Sequence, residues 1–165
     1  MSSYQYKREP LTADEANRLA SACTGFEEKL IVWTLLDTGL RVAELAGLTK
    51  ENVDWQGHRI MIYGKGGPFG TKSKRRVIPL SSRVQPLIEG HFALRDGLEM
   101  SVRTIQRVVR VLANRAQINR KVSPHVLRHT FSVTAVQKGI SLPALQRLLG
   151  HLSPEHVIQE FNAKW

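Results

Sequence analysis

The sequence predicts a mainly α-helical chain with one small three-stranded antiparallel β-sheet, and three observations predict it. Apolar residues recur at helical spacing in several capped segments that end on glycine. Between about residues 52 and 80 the pattern changes to short β-like runs split by glycines. Hydrophobic residues make up 42% of the 165, enough for one packed core and short for two. Residues 1–10 read as a lead-in and 11–165 as a single domain.

Each element has its own signal. Thr12 with Glu15 three residues on is a capping box that opens a helix through about Cys23. The stretch FEEKLIVWTLLDTG is apolar at Phe26, Leu30, Ile31, Trp33, Leu35 and Leu36, a largely buried helix that stops at Gly39. Arg41 to Leu45 reads as a further short helix. The runs NVDW, HRIMIY and RRVIPL are the three strands, and Pro79 confines the last of them to an edge. A short helix follows around Arg83–Gly90. Ser101 caps an amphipathic helix whose apolar stripe is Val102, Ile105, Val108, Val109 and Leu112. Arg103, Arg107 and Arg110 share a different face of it. Ser123 as N-cap with Pro124 at the first helical position opens the next helix, which Gly139 ends. LPALQRLLG closes with its own glycine stop at Gly150.

The charge is unevenly spread. The formal net charge is +10, from 24 Lys+Arg against 14 Asp+Glu. The first 54 residues hold nine acids and six bases, whereas Trp55–Ile88 holds seven bases and Met100–Pro154 nine, both without an acid. Two acid-free basic blocks on a folded chain point to a phosphate backbone, because solubility alone needs no exclusion of acids. Cys23 is the only cysteine, which excludes a disulfide framework and a cysteine-built zinc site. No apolar run approaches the ~20 residues that span a bilayer, and the first residues carry no apolar signal core. The expectation is an intracellular, cytoplasmic protein associated with the nucleoid.

Three local patterns carry chemistry. In SPHVLRHTF, His125 lies beside Arg128 and His129 on one helix face. A guanidinium donates to two phosphate oxygens at once, and a histidine beside it handles protons near neutrality. That pairing suits phosphoryl transfer, although HxxRH alone is not diagnostic, and His129, further round the helix, is read as packing or capping internally. In TGLRVAELAGL, Arg41 stands at a helix start, with Glu44 three residues on to hold it; the plainer reading is a surface ion pair of little energetic value. In YGKGGPFGTKSKRR, glycines and lysines between two strands form a hairpin able to lay an ammonium on a phosphate, without the GxxxxGK[ST] of a nucleotide loop. His151 follows a helix stop.

Taken in order, TGLRVAELAGL, YGKGG…RRVIPL, SPHVLRHTF and LQRLLGH resemble the catalytic domain of the tyrosine recombinase, or phage integrase, family, close in style to Xer-like and archaeal integrases. The likeness runs from about Leu11 to His151. It implies that Arg41 and Arg128 clamp a scissile DNA phosphate and that Lys65, with Lys72 and Lys74 as alternatives, protonates the leaving 5′-oxygen. It implies further that His125 and His151 assist proton handling and hydrogen bonding, and that Glu44 is the structural acid of the first motif. Double-stranded DNA is then the partner, contacted also by Lys72, Lys74, Arg75, Arg76, Arg103, Arg107 and Arg110. No metal or other cofactor is required, because the arginines stabilise the charge and a covalent phosphotyrosyl link conserves the bond energy. Family members often assemble as homo-oligomers on DNA.

The chain departs from the family in two places. The nucleophilic tyrosine of relatives lies about ten residues past the glycine of the GH motif, where this chain has Glu160 and Phe161; its tyrosines are Tyr4, Tyr6 and Tyr63. A Tyr→Phe change at 161, loss of a segment after His151, and a natural remnant that binds DNA without cutting it are the three explanations. Each leaves the chain unable to cleave DNA by the family route. The N-terminal helical domain that closes the family's clamp around DNA is also absent from the sequence. The alternative function, in another class, is a catalytically inactive DNA-binding or regulatory module on the same fold. A metal hydrolase using His125, His129, His151 and His156 lacks the nearby carboxylate of an HExxH site.

Overall fold

The computed structural model describes residues 9–63, 75–150 and 164–165. Helix α1, Ala13–Ala22, starts where the capping box puts it. The Glu15 N–H donates to Thr12 Oγ1 at 3.1 Å and the Thr12 N–H to Glu15 Oε1 at 2.9 Å. Just before it, the chain is tied down: the Leu11 N–H donates to Thr130 Oγ1, and Arg120 donates to the carbonyls of Glu9 and Pro10. Residues 9–11 are thereby held against the body of the domain, and residues 1–8 of the expected lead-in lie outside the described part.

Helix α2, Phe26–Thr38, is the axis of the molecule. Leu30, Ile31, Val32, Leu35 and Leu36 are each buried, because α1 and three later helices pack around it. A helix enclosed on several sides needs apolar residues around its circumference, and its sequence supplies them. It stops at Gly39, which adopts the left-handed conformation at φ 68°. The short helix α3, Val42–Ala46, follows at once.

Strands β1 (Val53–Asp54), β2 (Arg59–Tyr63) and β3 (Arg75–Pro79) form an antiparallel sheet in the order β1-β2-β3. Ile60 faces Ile78 and Arg59 faces Pro79, so the proline sits on an edge strand, where a missing N–H costs no ladder bond. Helix α4, Gln85–Leu94, begins two residues later than the sequence suggests. Arg83 stays outside it and donates to both Asp37 oxygens, at 2.7 and 2.8 Å. Helix α5, Val102–Arg115, buries Ile105, Val109, Leu112 and Ala113. Helix α6, Pro124–Gln137, lies along α2, and α7, Leu142–Leu149, packs on both α6 and β3. A second apolar cluster under α6 and α7 gathers Phe131, Ala135, Ile140, Ala144, Leu145 and Leu148, with the Trp165 ring 5.4 Å from that of Phe131. No helix among the described residues is long and apolar enough to cross a membrane.

The surface pair of Glu28 and Arg115 is placed to respond to acid. Glu28 Oε1 accepts from Arg115 at 2.9 Å and from the Thr24 N–H at 3.0 Å. Arg115 first, then the backbone N–H groups of Thr24 and Gly25, lower its carboxyl to about 2. A depressed acid stabilises the fold above its unfolded value near 4.3, and that contribution fades as pH falls from there toward 2. Glu28→Gln should therefore flatten the pH dependence of the melting temperature between about pH 4.5 and 2.5, measured by thermal denaturation. An unchanged slope would remove Glu28 from the account.

Candidate functional site

The site forms where α2 ends. Gly39 turns the chain with a positive φ, and a Cβ placed there would lie 2.5 Å from Cδ2 of Phe131. Glycine is thus required twice, by conformation and by the closeness of α6. This contact brings the Gly39 carbonyl against Arg128, one turn before Phe131 on α6, and Arg128 Nη1 donates to it at 2.5 Å. Arg128 Nη2 donates to the Leu149 carbonyl at 3.2 Å. One guanidinium so joins the end of α2 to the end of α7. Arg41 is two residues beyond Gly39, a backbone span of at most about 7 Å. The two arginines named from the sequence are therefore brought together, although they lie 87 positions apart.

A carboxylate sits among them. Glu44 Oε1 accepts from the Arg41 backbone N–H at 2.8 Å. Its strongest partner, however, is Arg76, whose Nη1 and Nη2 donate to the two carboxylate oxygens at 2.6 and 2.9 Å. The Arg41 side chain is 3.7 Å away and 57% exposed. Burial by itself would push the Glu44 carboxyl up, but the Arg76 hydrogen bonds, the Arg41 N–H and both charges outweigh it and hold it below the usual range. Arg76 corrects an expectation. The sequence places it among the DNA-facing basic residues, yet it is 6% exposed and directed at Glu44. Strand alternation puts it on the same face as Ile78, which is 1% exposed, so the signal for burial was present in RRVIPL.

Three guanidinium groups around one carboxylate leave positive charge unbalanced. Arg128 registers it. Burial first, then the charges of Arg41 and Arg76, push its pKa down to about 10, and Glu44 only partly opposes them. It stays protonated at neutral pH. A site that disfavours its own cation is relieved by an arriving anion.

The remaining candidates fall into three groups. His125 is at the second position of α6 and exposed; His129 is exposed as well, which rules out the internal packing expected of it. Arg103, Arg107 and Arg110 line an exposed face of α5. Lys65, Lys72, Lys74, His151, His156, Glu160 and Phe161 lie outside the described residues, and of Arg75 only the backbone, paired with Tyr63, is described. Cys23 takes no part: it is buried, and burial pushes its thiol up to about 11.

With this geometry in hand, the comparisons agree on one family. Residues 9–164 match the Phage integrase family. The tyrosine recombinase XerC of Pelobacter propionicus is 32% identical over 161 residues, covering 87% of this chain and 51% of the relative. The chain spans about half the length of the curated relatives it matches. The crystal structure of XerA recombinase superposes with a TM-score of 0.75 at 30% identity, over 93% of this chain and 59% of that one. XerH site-specific recombinase, in a pre-cleavage complex with its difH substrate, gives 0.69 at 20% identity over 93% of this chain and 49% of its own. The mainly helical fold with its three-stranded sheet is that of a tyrosine recombinase catalytic domain, and the chain belongs to the phage integrase family.

Proposed function

We propose that this chain binds duplex DNA and grips one backbone phosphate between Arg41 and Arg128, as the catalytic domain of a site-specific recombinase whose nucleophile is not among its 165 residues. The observation that carries the reading is the gathering of the Arg41, Arg76 and Arg128 guanidinium groups about one carboxylate, Glu44, with Arg128 held in place by the Gly39 and Leu149 carbonyls. The XerH complex, a protein of the same fold held on its DNA substrate before cleavage, supports a duplex as the partner. In the strand-transfer chemistry of such a site, a tyrosine oxygen forms a bond to phosphorus. The bond from phosphorus to the 5′-oxygen breaks, and that oxygen takes up a proton, a role suited to Lys65. Arg41 and Arg128 meet the charge that builds on the non-bridging oxygens, where fixed donors act most strongly. His125 and His151 assist by hydrogen bonding and proton handling.

A second reading, a regulatory DNA-binding module, is favoured by one fact: no tyrosine follows Tyr63 in the sequence. Both readings predict binding without covalent capture. The test incubates the protein with a nicked duplex and then denatures the mixture. DNA that is retarded before denaturation and released after it is the expected result. A protein–DNA band that survives denaturation would show that this chain carries a nucleophile of its own, and no retardation at low salt would remove DNA as the partner.

A further inference from the structure

We propose that Arg76 is a positioning residue for the phosphate clamp, acting through Glu44 to set the direction of Arg41 and tying β3 to the corner at Gly150. The inference rests on the clamp reading above and adds a residue to it.

Four observations carry it. Arg76 is buried on the inner face of an edge strand, beside Ile78. Its side chain is 7% exposed and that of Glu44 18%, so neither offers a broad surface to DNA. The two are joined by a fork of two short hydrogen bonds, 2.6 and 2.9 Å, which fixes the plane of the carboxylate. The same carboxylate takes the N–H of Arg41, at the residue that starts α3. On its other side Arg76 runs against the end of α7: a Cβ added to Gly150, at φ 109°, would lie 3.1 Å from Arg76 Cδ. One side chain therefore touches α3, through Glu44, and the end of α7, the same α7 end that Arg128 joins to the end of α2.

A buried Arg–Glu pair contributes little net stability over apolar residues of the same size, since desolvation offsets most of the attraction. Its geometric effect is larger. A bidentate fork holds a carboxylate in one orientation, which a lysine's point charge does not. The groups facing Glu44 are Arg76 from β3, Arg41 on its own helix and Arg128 from α6. Without Arg76, burial would dominate and the carboxyl would take up a proton at higher pH.

The test is a double-mutant cycle read by fluorescence anisotropy with a short labelled duplex, using Arg41→Ala, Arg76→Lys and the pair, with thermal melts as a check on folding. Arg76→Lys should weaken binding by about tenfold, the effect of losing charged hydrogen bonds. The double variant should bind no worse than Arg41→Ala alone, because Arg76 acts through Arg41. A second readout is pH. Relative to wild type, Arg76→Met should lose further affinity as pH falls from about 7 to 5, and Arg76→Lys should not. Effects that multiply in the cycle would make Arg76 a separate contact or a purely structural tie, and would overturn the proposal. Wild-type binding by Arg76→Lys, with no pH difference in Arg76→Met, would do the same. A failure of the clamp reading looks different: Arg41→Ala would then bind DNA as wild type does.

Discussion

Arg128→Ala is expected to lower affinity for a short DNA duplex by about a hundredfold, and Arg107→Ala by less than about threefold. Charged hydrogen bonds contribute about 1.5–3 kcal/mol each, and each 1.4 kcal/mol is a factor of ten. Arg128 is held in place by the carbonyls of Gly39 and Leu149, so its direction is set before DNA arrives and little is lost in ordering it. Arg107 stands on the exposed face of α5 and has no such mooring among the described residues, and a surface cation of that kind adds only a general attraction. Titrations at several salt concentrations separate the two effects. The salt slope should fall by about one for either variant, while the large loss at fixed salt belongs to Arg128 alone. Arg128→Lys should recover the slope without recovering the affinity, because an ammonium keeps the charge and loses the planar fork. Equal losses at positions 107 and 128 would argue against a dedicated phosphate pocket.

Gly39→Ala is expected to destabilise the fold by about 2–5 kcal/mol. A left-handed conformation costs a non-glycine residue about 1–2 kcal/mol, and forcing a methyl into a filled interior costs about 1–3 more. Both apply here, at φ 68° and with the Phe131 ring 2.5 Å from the new carbon. The ring belongs to the second apolar cluster, so the strain reaches α7. The displaced carbonyl is also the one Arg128 uses, and DNA binding should fall with stability. Gly25→Ala is the control: it caps the other end of α2, at φ −99°, with nothing within 4 Å. Urea denaturation should show a loss below about 1 kcal/mol there. A small effect at position 39 would mean that α6 can move away from α2.

The differences at Arg76 and His129 run in opposite directions and have separate causes. Charged residues in a basic segment are read by default as surface, since burying a lone charge is costly. Arg76 escapes that rule because Glu44, 32 positions earlier, is folded against it. Strand alternation in RRVIPL hints at the burial, but a partner so distant leaves no local pattern that names it. His129 was assigned inward from its place on the helix, but α6 keeps Val126, Leu127, Thr130 and Phe131 inside, and position 129 falls outside that set.

What the sequence determined by itself is what depends on neighbours a few residues apart: the Thr12–Glu15 cap, the glycine stops at 39 and 150, the edge placement of Pro79 and the apolar axis of α2. Such features follow from backbone geometry and short-range hydrogen bonding, which a local pattern encodes. Only the tertiary structure decided that Arg128 hangs between Gly39 and Leu149, that Glu44 belongs to Arg76 more than to Arg41, and that three arginines crowd one carboxylate. Those relations arise when packing of α6 on α2 and of α7 on β3 closes long loops, and the free energy that selects them is spread over the whole core rather than carried by any one stretch of chain.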